Sequence, residues 1–182
     1  CDSCGTPLPG QNDDHQLKCD YCMETPRPWV QGRAALLYQG KARDIVLALK
    51  HGDRADIARP AAVWLAQAVQ PLIRPNMLIA PVPLHRFRLL RRRFNQSALL
   101  GRALAQETGL AFCPDLLERN RHTASQDGRN PHQRFENIRG AIRAHPRRRH
   151  RMAARSVLLV DDVMTSGATF AACARFQTGL GA

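Results

Sequence analysis

Late in the chain, Val157-Leu158-Leu159-Val160 runs straight into Asp161-Asp162, and the small residues Thr165-Ser166-Gly167-Ala168-Thr169 follow. Four consecutive apolar residues show no two-residue alternation, the mark of a strand buried on both faces in a parallel sheet covered by helices. The carboxyl ends of such strands are where open α/β sheets bind their ligands, so two adjacent acids are delivered to a binding edge. Small residues from Thr165 to Thr169 leave backbone N–H groups free to surround a phosphate, with hydroxyls as further donors. The helix expected over Ala168 to Arg175 adds about +0.5 charge at its N-terminus. Carboxylates suit sugar hydroxyls or a bound magnesium ion, and the loop suits the phosphate of the same ligand. Together they describe a ribose phosphate site. Two plainer readings compete. Phosphoacceptor receiver domains also place two acids after an apolar run, but at the start of the domain, whereas only 20 residues follow Asp162 here. A simple strand-to-helix connection capped by Thr165 or Ser166 accounts for the hydroxyls and leaves the two acids unexplained.

Upstream, apolar periodicity alternates between strand and helix. Val30 to Tyr38 reads as a strand ending at Gln39 and Gly40. Ile45, Val46 and Leu49 repeat at helical spacing before Gly52, and a second helix spans roughly Ile57 to Val69, with Trp64, Leu65 and Ala68 on one face. Met77 to Ala80 is a buried strand that runs into a rigid loop at Pro81 and Pro83. From Phe94 to Thr108 the residues Leu100, Ala103 and Leu104 share a helical face, and Gly109 is placed to stop it. Arg119 to Arg139 is polar and aperiodic, which reads as a long mobile loop. Strands alternating with helices imply an α/β fold with a mostly parallel sheet. At 182 residues the chain holds one ordinary domain plus a small module and excludes two large ones. No apolar run approaches the ~18 residues that would span a bilayer, which excludes a transmembrane protein and membrane insertion. No leader is visible, although Cys1 in place of Met leaves room for one removed, and the chain reads as cytoplasmic.

Four of the six cysteines lie in the first 22 residues, as Cys1-x2-Cys4-x14-Cys19-x2-Cys22. Each pair is spaced so that one tight turn aims both sulfurs at a single ion, which suits tetrahedral zinc in a structural role. Gly5 lets the backbone fold over the metal. Two disulfides are the alternative, and they need an oxidising compartment that nothing else here suggests. His15, between the pairs, reads as a surface residue, and Cys113 and Cys173 as core residues.

The formal charge is +12, and three lysines (Lys18, Lys41, Lys50) among 27 basic residues leave 24 arginines. Guanidinium forks pair bidentately with phosphate, which fits a phosphorylated ligand or nucleic acid. Solvated surface charge is the plainer account of most of them. Two clusters stand out: Arg86, Arg88, Arg91, Arg92 and Arg93, and Arg147, Arg148, Arg149, His150 and Arg151. Aromatic residues for stacking single strands are scarce, with only Phe87 and Phe94 close to the first cluster.

Val157 to Thr169 resembles the phosphoribosyl pyrophosphate (PRPP) motif of type I phosphoribosyltransferases, and other segments narrow the resemblance to the ComF family, which takes in competence proteins and GntX-like relatives. They are the double CxxC; Tyr38-Gln39-Gly40 with Arg43 and Leu49-Lys50; Pro81-Val82-Pro83-Leu84-His85 with Arg88 and Phe94-Asn95-Gln96; and Thr123, Gln126, Arg134 and Asn137. They occur in the family's order and span nearly the whole chain. The resemblance implies a zinc-ribbon-like module over residues 1–28 and a type I phosphoribosyltransferase-like domain over residues 29–182, its sheet mostly parallel and flanked by helices. By the same resemblance Asp161 and Asp162 hold the ribose hydroxyls, Thr165, Ser166, Gly167, Ala168 and Thr169 the 5′-phosphate, and Pro81, Val82, Pro83 and Leu84 face the pyrophosphate. If transfer occurs, magnesium with Arg88 and Arg134 stabilises the leaving oxygens.

Three departures are visible. Arg93 stands where the family usually has a turn glycine before Phe94. The stretch between Gln126 and Arg134 lacks an expected leucine. The chain stops at Ala182, about where the family's next strand should begin. Three functions fit: a phosphoribosyltransferase with an unnamed acceptor; a DNA-uptake factor whose pocket is regulatory or vestigial, partnered by competence or helicase proteins; and a zinc-dependent single-stranded-DNA-binding module.

Overall fold

The computed structural model describes residues 1–9, 17–51, 54–85, 89, 94–121, 123, 128 and 130–175. After the first cysteine pair comes a short helix, α1 (Asp20–Glu24), then an irregular segment, then α2 (Gly40–His51). A single 3-10 turn at Ala55–Ile57 leads into α3 (Ala58–Val69). Strand β1 (Leu78–Pro81) follows, then α4 (Gln96–Thr108), β2 (Ala111–Phe112) and β3 (Leu117–Arg119). The last described stretch holds α5 (Pro131–Ile138), β4 (Ile142–Ala144), β5 (Val157–Val160) and α6 (Ala168–Ala174).

The main sheet has the order β2-β1-β5, all parallel, with Leu78 opposite both Ala111 and Val157 and Pro81 opposite Val160. Every residue of the central strand β1 is buried, as a strand covered on both faces must be. In that register Ile79, Leu158 and Val160 share one face, where they pack with Leu49, Ala58, Val69, Leu100 and Leu104 of α2, α3 and α4. On the other face Leu78 and Ala80 meet Cys113 and Leu116, and Leu159 packs toward Ile138, Ile142 and Cys173. A separate antiparallel pair, β3 with β4, sets Leu117 opposite Ala144.

The alternation of strands and helices is as the sequence implies, and both lone cysteines, Cys113 and Cys173, are buried. Three local readings are corrected and one, on α3, is refined. Residues 30–38 form no strand: Val30 is 93% exposed, and the segment is held by Gly32 N–H to the Asp2 carbonyl (2.8 Å) rather than by a ladder. On α3 the buried positions are Ala58, Ala62 and Val69, at helical spacing, while Trp64 stays 38% exposed. Strand β5 is unevenly buried, with Leu158 and Val160 deep and Val157 and Leu159 partly accessible, because the second face is covered by shorter elements. Finally, the stretch read as one long loop contains α5. Asn130 accepts from the Gln133 N–H (2.9 Å), Gln133 reaches back to the Asn130 N–H (3.1 Å), and Pro131 opens the helix. That capping box with proline in the first turn stands in the sequence, but in a window too short for apolar periodicity to reveal it.

Candidate functional site

The two cysteine knuckles are drawn together by Asp2, whose N–H donates to the Leu17 carbonyl (2.8 Å) and whose carboxylate accepts from the Leu17 N–H (3.1 Å). The first knuckle turns through Gly5 N–H to the Cys1 carbonyl, and the second through Cys22 N–H to the Cys19 carbonyl at the start of α1. Gly5 has φ +79°, and a β-carbon there would lie 2.4 Å from the Ala34 nitrogen. The tight approach admits only glycine. All four Sγ atoms of Cys1, Cys4, Cys19 and Cys22 lie within 4.8 Å of one another. Cys4 and Cys19 are 3.7 Å apart. Tetrahedral coordination with metal–sulfur bonds of about 2.3 Å needs sulfur–sulfur edges of about 3.8 Å, so the set fits a metal ion. All six cysteines are free thiols in this structure. Burial raises the Cys19 thiol, whereas at Cys4 hydrogen bonds to Thr6, Cys22 and Cys19 outweigh burial and bring it below the usual value.

Late in the chain, β5 ends at Val160 and delivers Asp161 and Asp162 to the carboxyl edge of the sheet. Asp161 Oδ1 accepts from Ser97 Oγ (2.7 Å) and from the Asp162 N–H (2.9 Å). Desolvation, reinforced by the adjacent Asp162 carboxylate, pushes the Asp161 carboxyl up to about 7, although the residue keeps part of its surface accessible. Asp162 faces Lys50 at the end of α2, 3.6 Å from its Nζ. Ser97 is placed by Asn95, which caps α4 by accepting from the Ser97 N–H (3.1 Å) and donates through Nδ2 to the Val82 carbonyl (3.0 Å). Val82 itself donates to the Val160 carbonyl (2.9 Å). Residues 81–84 therefore lie beside the end of β5, with Pro81, Val82 and Pro83 buried.

The loop of residues 165–169 turns through Gly167 at φ +77°. Arg134 on α5 donates through Nη1 to Thr165 Oγ1 (2.5 Å). A small cavity of about 30 Å³ opens there, lined by Arg134, Asp161 and residues 163–170. On its outer side the loop leans on residues nearer the N-terminus. Arg27 donates through Nη1 to the Ser166 carbonyl (2.7 Å), and a β-carbon on Gly167 would come within 3.0 Å of both Arg27 Nη1 and the Trp29 ring. The same Arg27 donates through Nε to Cys22 Sγ (3.4 Å).

The structure thus brings together Asp161, Asp162, residues 165–169, residues 81–84 and Arg134. Arg88, Arg86, Arg91, Arg92, Arg93, Gln126 and His15 lie outside the described residues. Of the second basic cluster, Arg148 pairs with Asp115 (2.7 Å). Sequence reasoning missed Ser97 and Arg27, and it quoted Lys50 within the family resemblance without giving it a role. Ser97 follows the capping residue Asn95 directly enough to be suspected, and Lys50 is one of three lysines, but nothing in the sequence points from Arg27 to a residue 139 positions away. Among the described residues no helix is long and apolar enough to cross a membrane.

No family model matches the chain, and no solved structure matches it. Among curated proteins, the chain is similar over its whole length to the DNA utilization protein YhgH of Salmonella typhi, at 32% identity over 187 residues covering 79% of that protein. The protein of the same name from Escherichia coli K12 is 29% identical over 188 residues, and Competence protein F of Haemophilus influenzae 27% identical over 186, each again covering the whole chain and 79% of the relative. Identity of nearly a third over the whole chain makes the kinship plain: the chain belongs to the ComF family.

Proposed function

We propose that the chain binds PRPP or a related ribose 5-phosphate on a type I phosphoribosyltransferase-like domain over residues 29–182, stabilised by a zinc-bound module over residues 1–28, and serves DNA uptake. The observation that carries the reading is the meeting of the strand-end carboxylate Asp161 with a small-residue loop and an arginine around one cavity, with the adjacent Asp162 held beside Lys50. Loop amides and Arg134 supply positive ends for a phosphate, and neither carboxylate of the pair suits an anion. Asp161 and Asp162 are instead placed for ribose hydroxyls, Asp161 being held in position by Ser97. Residues 81–84 then face the pyrophosphate, and Arg134 with Arg88 meets the leaving oxygens if transfer follows. Magnesium, when PRPP carries it, neutralises the pyrophosphate, with the same two carboxylates at hand. The names of the relatives, DNA utilization protein and Competence protein F, support the uptake role. The four-thiolate set favours zinc over the harder oxygen-seeking cations.

Calorimetric titration with PRPP, with and without magnesium, tests the binding, and a nucleobase screen for released pyrophosphate tests transfer. Asp161→Asn with Asp162→Asn should weaken PRPP and spare inorganic phosphate, because only sugar contacts change; equal loss of both ligands overturns the assignment of roles. Metal analysis of protein purified without chelator should return one equivalent of zinc, and a metal-free, folded sample counts against the module.

A further inference from the structure

We infer that Arg27 is a positioning residue that couples metal occupancy of the four-cysteine cluster to the shape of the 165–169 loop. The inference deepens the ribose phosphate reading and rests on it for the identity of the ligand. Arg27 touches both places at once: Nε donates to Cys22 Sγ (3.4 Å) and Nη1 to the Ser166 carbonyl (2.7 Å). Its guanidinium is held between two rings, 4.7 Å from the Tyr21 centroid and 5.4 Å from that of Trp29. Trp29 forms a second strap, donating through Nε1 to the Ser3 carbonyl in the first knuckle (2.6 Å) while its ring lies 6.1 Å from Phe170 on α6.

The chemistry at each end gives the link a direction. A metal held by four thiolates fixes the Cys22 side chain and keeps its sulfur an anionic acceptor, so the contact from Arg27 is charge-assisted, as outer contacts to metal ligands commonly are. Removing the metal releases Cys22 and loosens the seat of Arg27. At the other end, a trans peptide points the Ser166 carbonyl and the Gly167 N–H in opposite directions within one plane. Holding the carbonyl toward Arg27 therefore turns the Gly167 N–H away from it, the orientation an anion on the far side of the loop requires. Gly167 has no room to shift toward Arg27 or Trp29, because even a β-carbon would stand 3.0 Å from both.

The test uses the full chain, metal-loaded and after chelation, as wild type, Arg27→Ala and Arg27→Lys. Three readouts are taken: inorganic phosphate affinity by calorimetry, hydrogen exchange of the 165–169 amides, and the rate of metal loss to a coloured chelator with and without phosphate. In wild type, chelation should weaken phosphate by roughly five- to tenfold, in the usual range of coupling between sites. It should also speed exchange at Gly167 and Ala168, and phosphate should tighten metal retention by the same factor, since coupling is reciprocal. Arg27→Ala should bind phosphate weakly even when metal-loaded and respond no further to chelation. Arg27→Lys, a point charge without the fork, should behave in the same way, and it decides the matter if the alanine variant does not fold. Chelation that alters neither affinity nor exchange in wild type overturns the inference, as does a chelation effect equally large in the variants. Failure of metal-loaded wild type to bind phosphate, with loop exchange still metal-sensitive, overturns the ligand reading and leaves the coupling standing.

Discussion

Asp161 is poised between its two protonation states. Desolvation and the neighbouring Asp162 carboxylate raise its carboxyl from 3.8 to about 7, while the hydrogen bond from Ser97 favours the charged form. In the unfolded chain the same group loses its proton near 3.8, so between about pH 4 and pH 7 the folded state holds the extra proton. Stability from this group therefore falls as pH rises through that window and levels off above it. Denaturant melts across a pH series should show this slope in wild type and its flattening in Asp161→Asn; an unchanged slope would assign the titration elsewhere. Gly167 is constrained differently. Alanine there meets a left-handed backbone at φ +77° and the Arg27 and Trp29 side chains. The conformational penalty alone is roughly 1–2 kcal/mol. Gly167→Ala should lower the melting midpoint by that order and abolish phosphate binding, whereas a stable variant with intact binding would show that the loop tolerates another turn.

At the scale of elements, legibility followed window length. Helix α4, with 13 residues, a cap at Asn95 and Gly109 in the left-handed region, is written in the sequence at both ends. So are the strand β1 and the acidic end of β5. Helix α5 has eight residues and announces itself only through Asn130, Pro131 and Gln133, and reading it as loop hid the device that brings Arg134 to Thr165. Residues 30–38 failed for the opposite reason. Their apolar composition resembles a strand, but the chain spends it on exposed Val30, Leu36 and Leu37, and the segment's backbone pairs with the first knuckle. Asn130→Ala should cost about 1 kcal/mol as a lost cap. It should also weaken phosphate binding by fraying the turn that carries Arg134. Thermal melts and calorimetry on one sample separate the two effects, and a stability loss with unchanged affinity would show that Arg134 does not need its helix.

For the whole molecule, 27 basic residues stand against 15 acids. Glu118 pairs with Arg143 and Asp115 with Arg148, so these two acids are engaged within the fold. The stretch from Arg86 to Arg93 follows the 81–84 loop directly in sequence, and we propose that it serves polyphosphate or a DNA backbone alternately. Three or four engaged arginines give a log–log salt slope of roughly −2 to −3 for single-stranded DNA. Anisotropy with a labelled oligonucleotide should show that slope and competition by PRPP, while salt-independent binding, or binding untouched by Arg91, Arg92 and Arg93→Ala, would defeat the proposal. The order in which the parts come into being adds a last consequence. Arg27 and Ser166 are 139 residues apart, an interval that takes roughly 7–28 seconds to synthesise at about 5–20 residues per second. The four cysteines have all emerged long before the loop they support exists. A metal captured in that interval leaves Arg27 already seated when Ser166 arrives, so the earlier-made cysteine module is a finished mould against which the later-made loop is cast.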